Sequence, residues 1–498
     1  MNVNPITRLD YPDPDVIRVE DTYYMVSTTM HFMPGCEILQ SFDLVHWEHV
    51  TYVYETLDHT DAQQLKSGQN IYGQGMWAAS LRYHEGRFCI CFVANDTRKT
   101  YLYTSEKIDG PWKKQLIEGF YHDGSLLFDE DGRNYIVYGN DEIWITELNE
   151  DLTAPKKDGL HRLLVSDHKN PELGYEGSHI QKINGYYYIF LVHSLRDRWM
   201  RTEACFYSDS LEGEFTGGDV LCDDRGYCGQ GVAQGGIVDT PDGKWYAMLF
   251  QDSGAVGRIP ILLPVTWKDH FPFFGQNGHV PEEIEVHSTR PGYIYQPLVG
   301  SDDFCNGLLP RWQFNHDPDP RYYHLDALQG TYTITTREVC TELTQAVNTL
   351  TQRMSYPSCA AEVTVDASAL KEGDVAGLCA LQSCYAAVGI TKHHGKYEVL
   401  MLDKKEDGIL DMTEGTVVES HQMDFRLEAD FSNMKDEARC YYRVNKGDWL
   451  PIGTVHKLYF KLDHFTGCRV GLFCYAAEET GGSACFRDFK YYDVDEIS

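Results

Sequence analysis

Asp13-Pro-Asp-Val-Ile-Arg-Val-Glu-Asp-Thr22-Tyr-Tyr is the first of five related segments along the chain. The others are Trp77-Ala-Ala-Ser-Leu-Arg-Tyr-His-Glu-Gly86-Arg-Phe, Asp123-Gly-Ser-Leu-Leu-Phe-Asp-Glu-Asp-Gly132-Arg-Asn-Tyr, Glu176-Gly-Ser-His-Ile-Gln-Lys-Ile-Asn-Gly185-Tyr-Tyr and Gln234-Gly-Gly-Ile-Val-Asp-Thr-Pro-Asp-Gly243-Lys-Trp. Each runs from a special residue through an apolar strand to a tight turn, then enters an aromatic strand. The offset from first residue to turn is nine in every copy, and the turns follow one another at 64, 46, 53 and 58 residues. Asn-Gly and Asp-Gly between apolar runs signal a hairpin, because the central residues take positive φ. Repeats of this length, each holding a hairpin, predict β-propeller blades.

One blade cannot bury both faces of its small sheet, so the copies must stack around an axis. Residues at one phase of the repeat then converge near that axis. At the first phase stand Asp13, Trp77, Asp123, Glu176 and Gln234: three acids, an indole and an amide. Carboxylates held close together push at least one pKa up, so one acid can keep its proton while another is ionised. Cleaving a glycosidic bond needs that division between a proton donor and a group that drives the nucleophile. A third acid can orient the donor, and Trp77 offers a flat apolar face for a sugar ring. Any one of these acids taken alone could be a turn residue, as Asp13 in Tyr-Pro-Asp-Pro-Asp illustrates; three at one phase of a five-fold repeat favour a site.

Residues 1–297 carry the repeats and are predicted to form a five-bladed β-propeller. Proline and glycine cluster around Arg290-Pro-Gly-Tyr-Ile-Tyr-Gln-Pro-Leu-Val-Gly300, and there the repeat stops. Residues 298–498 read as longer, irregularly spaced strands: 330–336, 360–367, 375–391, 397–402, 423–431, 437–444, 469–475 and 484–492. That pattern predicts a β-sandwich, jelly-roll-like, packed on the propeller so as to wall off its cleft. The fold class is therefore all-β.

The 498 residues carry 43 basic and 75 acidic side chains, a formal charge of −32. Such a surface argues against nucleic acid or an anionic membrane as partner and suits a neutral or cationic ligand, though solubility accounts for most of it. No apolar run approaches the length of a membrane span. The fifteen cysteines include no Cys-x-x-Cys pair, which fits buried thiols in a reducing cytoplasm. The start, Met1-Asn-Val-Asn-Pro, does not read as a signal peptide, and a cytoplasmic location is expected.

Tyr11-Pro-Asp-Pro-Asp-Val-Ile, His122-Asp-Gly-Ser-Leu and Tyr175-Glu-Gly-Ser-His-Ile resemble the three signature segments of glycoside hydrolase family 43. Ser41-Phe-Asp-Leu-Val-His-Trp47 and Gly75-Met-Trp-Ala-Ala-Ser-Leu-Arg-Tyr83 are similar to further motifs of that family, whose β-xylosidases often carry a C-terminal sandwich. The resemblance implies an inverting mechanism in which Asp13 is the general base, Glu176 the general acid and Asp123 the residue that orients and tunes the acid. An inverting pair stands about 6.5–9.5 Å apart to admit water. It further implies a substrate-binding Arg258, otherwise a strand-end charge, and an aromatic Phe32 in the subsite wall, otherwise an ordinary core phenylalanine. His179 and Gln234 complete the candidate substrate-binding set, with His31, His122 and His179 as hydrogen-bonding supports for the acids.

Two departures from the family pattern stand out. Gln234 occupies a place where many relatives have histidine near an axial water or calcium, and Gly124 replaces the proline that commonly follows the tuning aspartate. No cofactor is expected to be required and no metal ligands are assigned, while a structural calcium at the propeller axis stays open. Asp129-Glu-Asp-Gly132 lacks the distal ligands of a calcium loop and reads as a hairpin turn. The expected activity is exo-acting release of terminal β-1,4-xylose or α-L-arabinofuranose from xylo- or arabinoxylo-oligosaccharides, with a homo-oligomer possible. An endo-acting arabinanase or a non-catalytic sugar-binding propeller are the rivals; an open groove with no sandwich wall would favour the first.

Overall fold

A computed structural model describes residues 2–493. Each of the five repeats opens a four-stranded antiparallel sheet whose strands follow chain order from inside to outside. The innermost strands are Asp15–Val19, Met76–His84, Ser125–Phe128, Glu176–Ile183 and Ala233–Asp239. Blades I to V follow in that order around one axis.

The hairpin turns follow the local chemistry. In blades II and IV both central residues, Glu85-Gly86 and Asn184-Gly185, have positive φ, as a two-residue loop demands. Blades III and V use a longer loop in which only Gly132 and Gly243 are left-handed, closed by Gly132 N–H to Asp129 C=O and Gly243 N–H to Thr240 C=O. The Asp129 segment is thus a hairpin turn, and its carboxylate accepts from Lys182 and Tyr187 of blade IV.

Every blade is built from contiguous chain, so no strand is exchanged to close the ring. Closure falls to the N-terminus: Asn2–Val3 pairs with Glu283–Ile284, and the Asn4 side chain donates to the carbonyls of Leu262 and Pro281. Deep on the axis, Arg82 ties four blades together. It reaches Asp15 of blade I at 2.7 Å, the Leu126 carbonyl and Ser125 hydroxyl of blade III, and the Ile180 carbonyl of blade IV. Burial pushes the Asp15 carboxyl up, but Arg82 and His179 outweigh it and hold the group down at about 2.

The C-terminal region is a sandwich of two antiparallel sheets around a core that includes Trp312, Tyr332, Phe425, Phe486 and Phe489. One sheet has seven strands. The other includes Asp374–Leu381, Ala386–His393, Lys396–Lys404 and Arg469–Ala476. The stretch 375–391, expected as one strand, is two, because the chain reverses at 382–385. Strands absent from the sequence reading include Gln313–Asn315, Leu350–Arg353 and Leu450–Lys457; the first two are short and fully buried, so they show no alternation.

The two domains share a sheet. Phe32–Met33, from the loop after the second strand of blade I, pairs with Phe314 and Asn315 and forms the edge of the larger sandwich sheet. Buried Arg353 of the sandwich donates to the Asp10 carbonyl and the Tyr11 hydroxyl of the propeller, and forms an ion pair with its Glu37 carboxylate at 2.7 Å. An unpaired charge there would be costly, so these partners fix the docking of one domain on the other.

Candidate active site

The phase residues sit where each innermost strand breaks from regular geometry. Asp13 (φ 53°), Asp123 (φ 48°) and Gln234 (φ 63°) are left-handed, as is Gly177 (φ 67°) directly after Glu176. The pairing register shifts between Met76 and Ala79, around Trp77, and likewise between Glu176 and His179 and between Ala233 and Gly236. A bulge re-aims a side chain that regular alternation would send sideways. Repeated at one phase, it turns these residues toward the mouth of the axis.

There the structure brings the acids together. Asp123 and Glu176 each lie 3.5 Å from His122 Nε2, and the ligand-type atoms of these three residues are all within 4.8 Å of one another. Gly177 N–H donates to Asp123 at 2.9 Å, and Asn140 donates to Glu176 at 2.7 Å. Burial, then the charges of Glu176 and Asp13, push the Asp123 carboxyl up to about 6 against the pull of His122 and the Gly177 N–H. In return Asp123, outweighing burial, together with Glu176 and Asp13, raises His122 to about 9. Asp123 therefore feels both of the other acids.

Asp13 is held by a separate set of groups. One oxygen accepts from Arg258 Nη1 at 2.9 Å and the other from the Thr28 hydroxyl at 2.6 Å. Arg258 is backed by Asp252 at 3.3 Å, and Asp252 also pairs with Arg201, so an alternating ion chain runs Asp13, Arg258, Asp252, Arg201. Arg258 starts the third strand of blade V, and its own N–H is fixed by Asp10 at 2.8 Å.

The sandwich supplies part of the mouth. Phe465, in the loop between Leu450–Lys457 and Arg469–Ala476, lies 5.4 Å from Trp77. The Arg258 guanidinium sits over its ring at 4.6 Å and over Phe460 at 6.0 Å. Asp10 anchors this loop too, accepting from Gly467 N–H at 2.9 Å. Phe465, Asn140, Thr28, Asp252 and Arg201 were not singled out in the sequence, because none stands at the repeated phase.

Three sequence expectations move. Phe32 is wholly buried, with Arg469 over its ring at 3.8 Å, so it has no accessible face for a sugar and belongs to the domain junction. His179 Nδ1 is bonded to Asp15 at 3.1 Å and packs beside Gly236, which ties it to the axis beneath the acids. Gln234 packs its side chain on Gly177 while its N–H donates to Glu203, a wholly buried acid whose pKa burial drives well above the carboxylate range. It shapes the Glu176–Gly177 turn. Among the described residues the one set of three clustered metal-type donors is His122, Asp123 and Glu176.

A ring of acids at a propeller mouth, one tuned by its neighbours and another held by an arginine, with aromatic walls, is the arrangement of a carbohydrate-cleaving hydrolase. The chain belongs to the glycosyl hydrolases family 43, whose family model matches residues 3–272; residues 301–492 match the beta xylosidase C-terminal concanavalin A-like domain. It is 26% identical to a beta-xylosidase of Formosa agariphila over 99% of this chain and 89% of that protein. It is 24% identical to a non-reducing end alpha-L-arabinofuranosidase of Bacteroides ovatus over 82% of this chain and 79% of that protein. A bifunctional GH43-CE protein of Bacteroides eggerthii superposes with a TM-score of 0.93 and 41% identity over the whole of this chain, which spans 64% of that longer chain.

Proposed function

We propose that this glycosidase is an inverting, exo-acting pentosidase that releases terminal β-1,4-xylose, α-L-arabinofuranose or both from xylan-derived oligosaccharides. The observation that carries the exo reading is the wall across the mouth. Phe465 faces Trp77 over the acids, where an endo-acting enzyme would need an open groove. The names of the relatives support either pentose, and the two readings stand level.

In this mechanism Glu176 gives its proton to the departing sugar oxygen. A water polarised by Asp13 attacks the anomeric carbon from the other face, its proton passing to Asp13. Arg258 and Thr28 fix the Asp13 carboxylate, while Asp123, through Gly177 N–H and His122, orients the Glu176 turn. Trp77 and Phe465 offer apolar faces for the pentose ring. We take the protein to act in a reducing cytoplasm; all fifteen cysteines are free, most of them buried.

The test is hydrolysis of 4-nitrophenyl β-xyloside against 4-nitrophenyl α-arabinofuranoside, with proton NMR of the first-formed anomer. Release of the inverted sugar is expected, and the retained anomer would overturn the roles of Asp13 and Glu176. Glu176→Gln should lower kcat by about 10²–10⁴-fold while still binding sugar. Undiminished release would remove Glu176 from the mechanism.

A further inference from the structure

Blade IV carries Glu176 on its innermost strand and Arg201 on its third. In the register Glu176 stands opposite Val192, Val192 opposite Glu203, and Ser194 opposite Arg201. Arg201 is thus two residues, about 6.5 Å, nearer the mouth than Glu203 and on the same face of the strand. That face looks toward blade V, since Glu203 accepts from Gln234 N–H and Arg201 pairs with Asp252.

Arg201 is a buried charge. It lies between two rings, Trp199 at 5.1 Å and Phe250 at 5.4 Å, with Nη1 on Asp252 and Nε buried without a hydrogen-bond partner. Burial and Arg258 lower its pKa to about 9, while Glu176 and Asp13 oppose that shift, so it shares the field of both acids. Burying a guanidinium with an unused donor is costly unless a polar group is supplied. Nothing in the ion chain requires this excess of donors, because Arg258 already serves Asp13.

Trp199 adds the second half. It stands in the 195–200 loop that joins the two strands over the mouth, and it is 44% exposed. An exposed indole braced from behind by a cation is a ready platform for a sugar ring. The loop belongs to the blade of the proton donor, on the solvent side of Glu176. In the proposed mechanism Glu176 protonates the leaving oxygen, so a position on its solvent side and on its own blade falls on the leaving-group side.

We infer that Arg201 and Trp199 form the subsite for the leaving sugar, Trp199 stacking the free face of its indole on a xylopyranose ring and Arg201 holding the indole from the other face. The inference rests on the pentosidase reading but not on which pentose is released, because xylose is the leaving residue whether the terminal unit is xylose or an arabinose branch. It makes the enzyme selective for oligosaccharides over pentosides with other leaving groups.

The test compares kcat/KM for xylobiose with kcat/KM for β-xylosyl fluoride, whose leaving group has no ring. Trp199→Ala, and separately Arg201→Lys, should lower the ratio of the two values by about tenfold. The conservative Lys keeps the charge next to Asp252, so a folded variant is obtained even where removal of the cation would disturb the ion chain. A ratio within about twofold of the wild type in both variants overturns the subsite and leaves the pentosidase reading intact. Failure of the wild-type enzyme to cleave xylobiose, β-xylosyl fluoride and 4-nitrophenyl α-arabinofuranoside alike overturns the pentosidase reading and the subsite with it.

Discussion

Phe465 and Trp77 come from different domains and lie 5.4 Å apart, ring centroid to ring centroid, with their planes tilted by 50°. The pair closes the propeller mouth with a residue that no blade contributes. It also ties the function of the catalytic domain to the docking of the sandwich, because the Phe465 loop is held by Asp10 and by the contact of Gly467 with blade V.

Phe465→Ala should therefore act on substrate capture more than on folding. The ring is only partly buried, and its loss removes apolar surface worth about 1.5 kcal/mol against a bound pentose. Steady-state kinetics should show kcat/KM down by about tenfold, most of it in KM, with little change in thermal stability. An unchanged KM would place the sugar elsewhere.

His122 should stabilise the fold in a pH-dependent way. Asp123 and the other acids raise it from 6.5 to about 9. A raised group contributes stability that is complete below its unfolded pKa and lost as pH rises through its folded one. The stability advantage of the wild type over His122→Asn should thus be largest near pH 6 and fade by pH 9.5 or so. Thermal unfolding of both proteins across that window is the measurement, and an advantage that grows with pH would refute it.

On the axis, Asp15→Asn takes away the carboxylate that Arg82 and His179 share. The position is 1% exposed, so a charge is left buried with only carbonyl and hydroxyl acceptors. A loss of about 3 kcal/mol is expected in denaturant unfolding. A cost below about 1 kcal/mol would mean that the remaining acceptors suffice.

The domain junction should weaken in acid. His31, His316 and His464 are buried around Tyr72, and both ring nitrogens of His31 and of His464 lack hydrogen-bond partners. Burial lowers all three, helped by Arg469 at His31 and His464, and brings His464 to about 3. A depressed group gives stability that is present above its unfolded pKa and lost as pH falls toward its folded one. Thermal stability should drop from pH 6.5 toward pH 4, and less steeply in His464→Leu. Equal slopes would remove these histidines from the acid response.

Much of the fold was legible because it repeats. A nine-residue offset, hairpin glycines and aromatic second strands recur where the same local geometry must be rebuilt five times, and Asp13, Asp123 and Glu176 stand at its first position. The sandwich strands at 437–444 and 469–475 were visible for the same local reason, being bounded by turn residues. The single run read at 375–391 was not divided correctly, since Gln382 to Tyr385 carries no glycine or proline to mark the reversal.

The sequence by itself determined the blades and the three acids, because hairpin chemistry and strand alternation are local and a repeat amplifies them. Only the tertiary structure decided what those acids face. Arg201, Asn140 and Phe465 are brought to the mouth by register within a blade and by the docking of a second domain. Phe32 and His179, close to the motifs in sequence, were turned away into the junction and the axis. Distance along the chain says little about such placements, since packing brings together side chains whose positions no local pattern records.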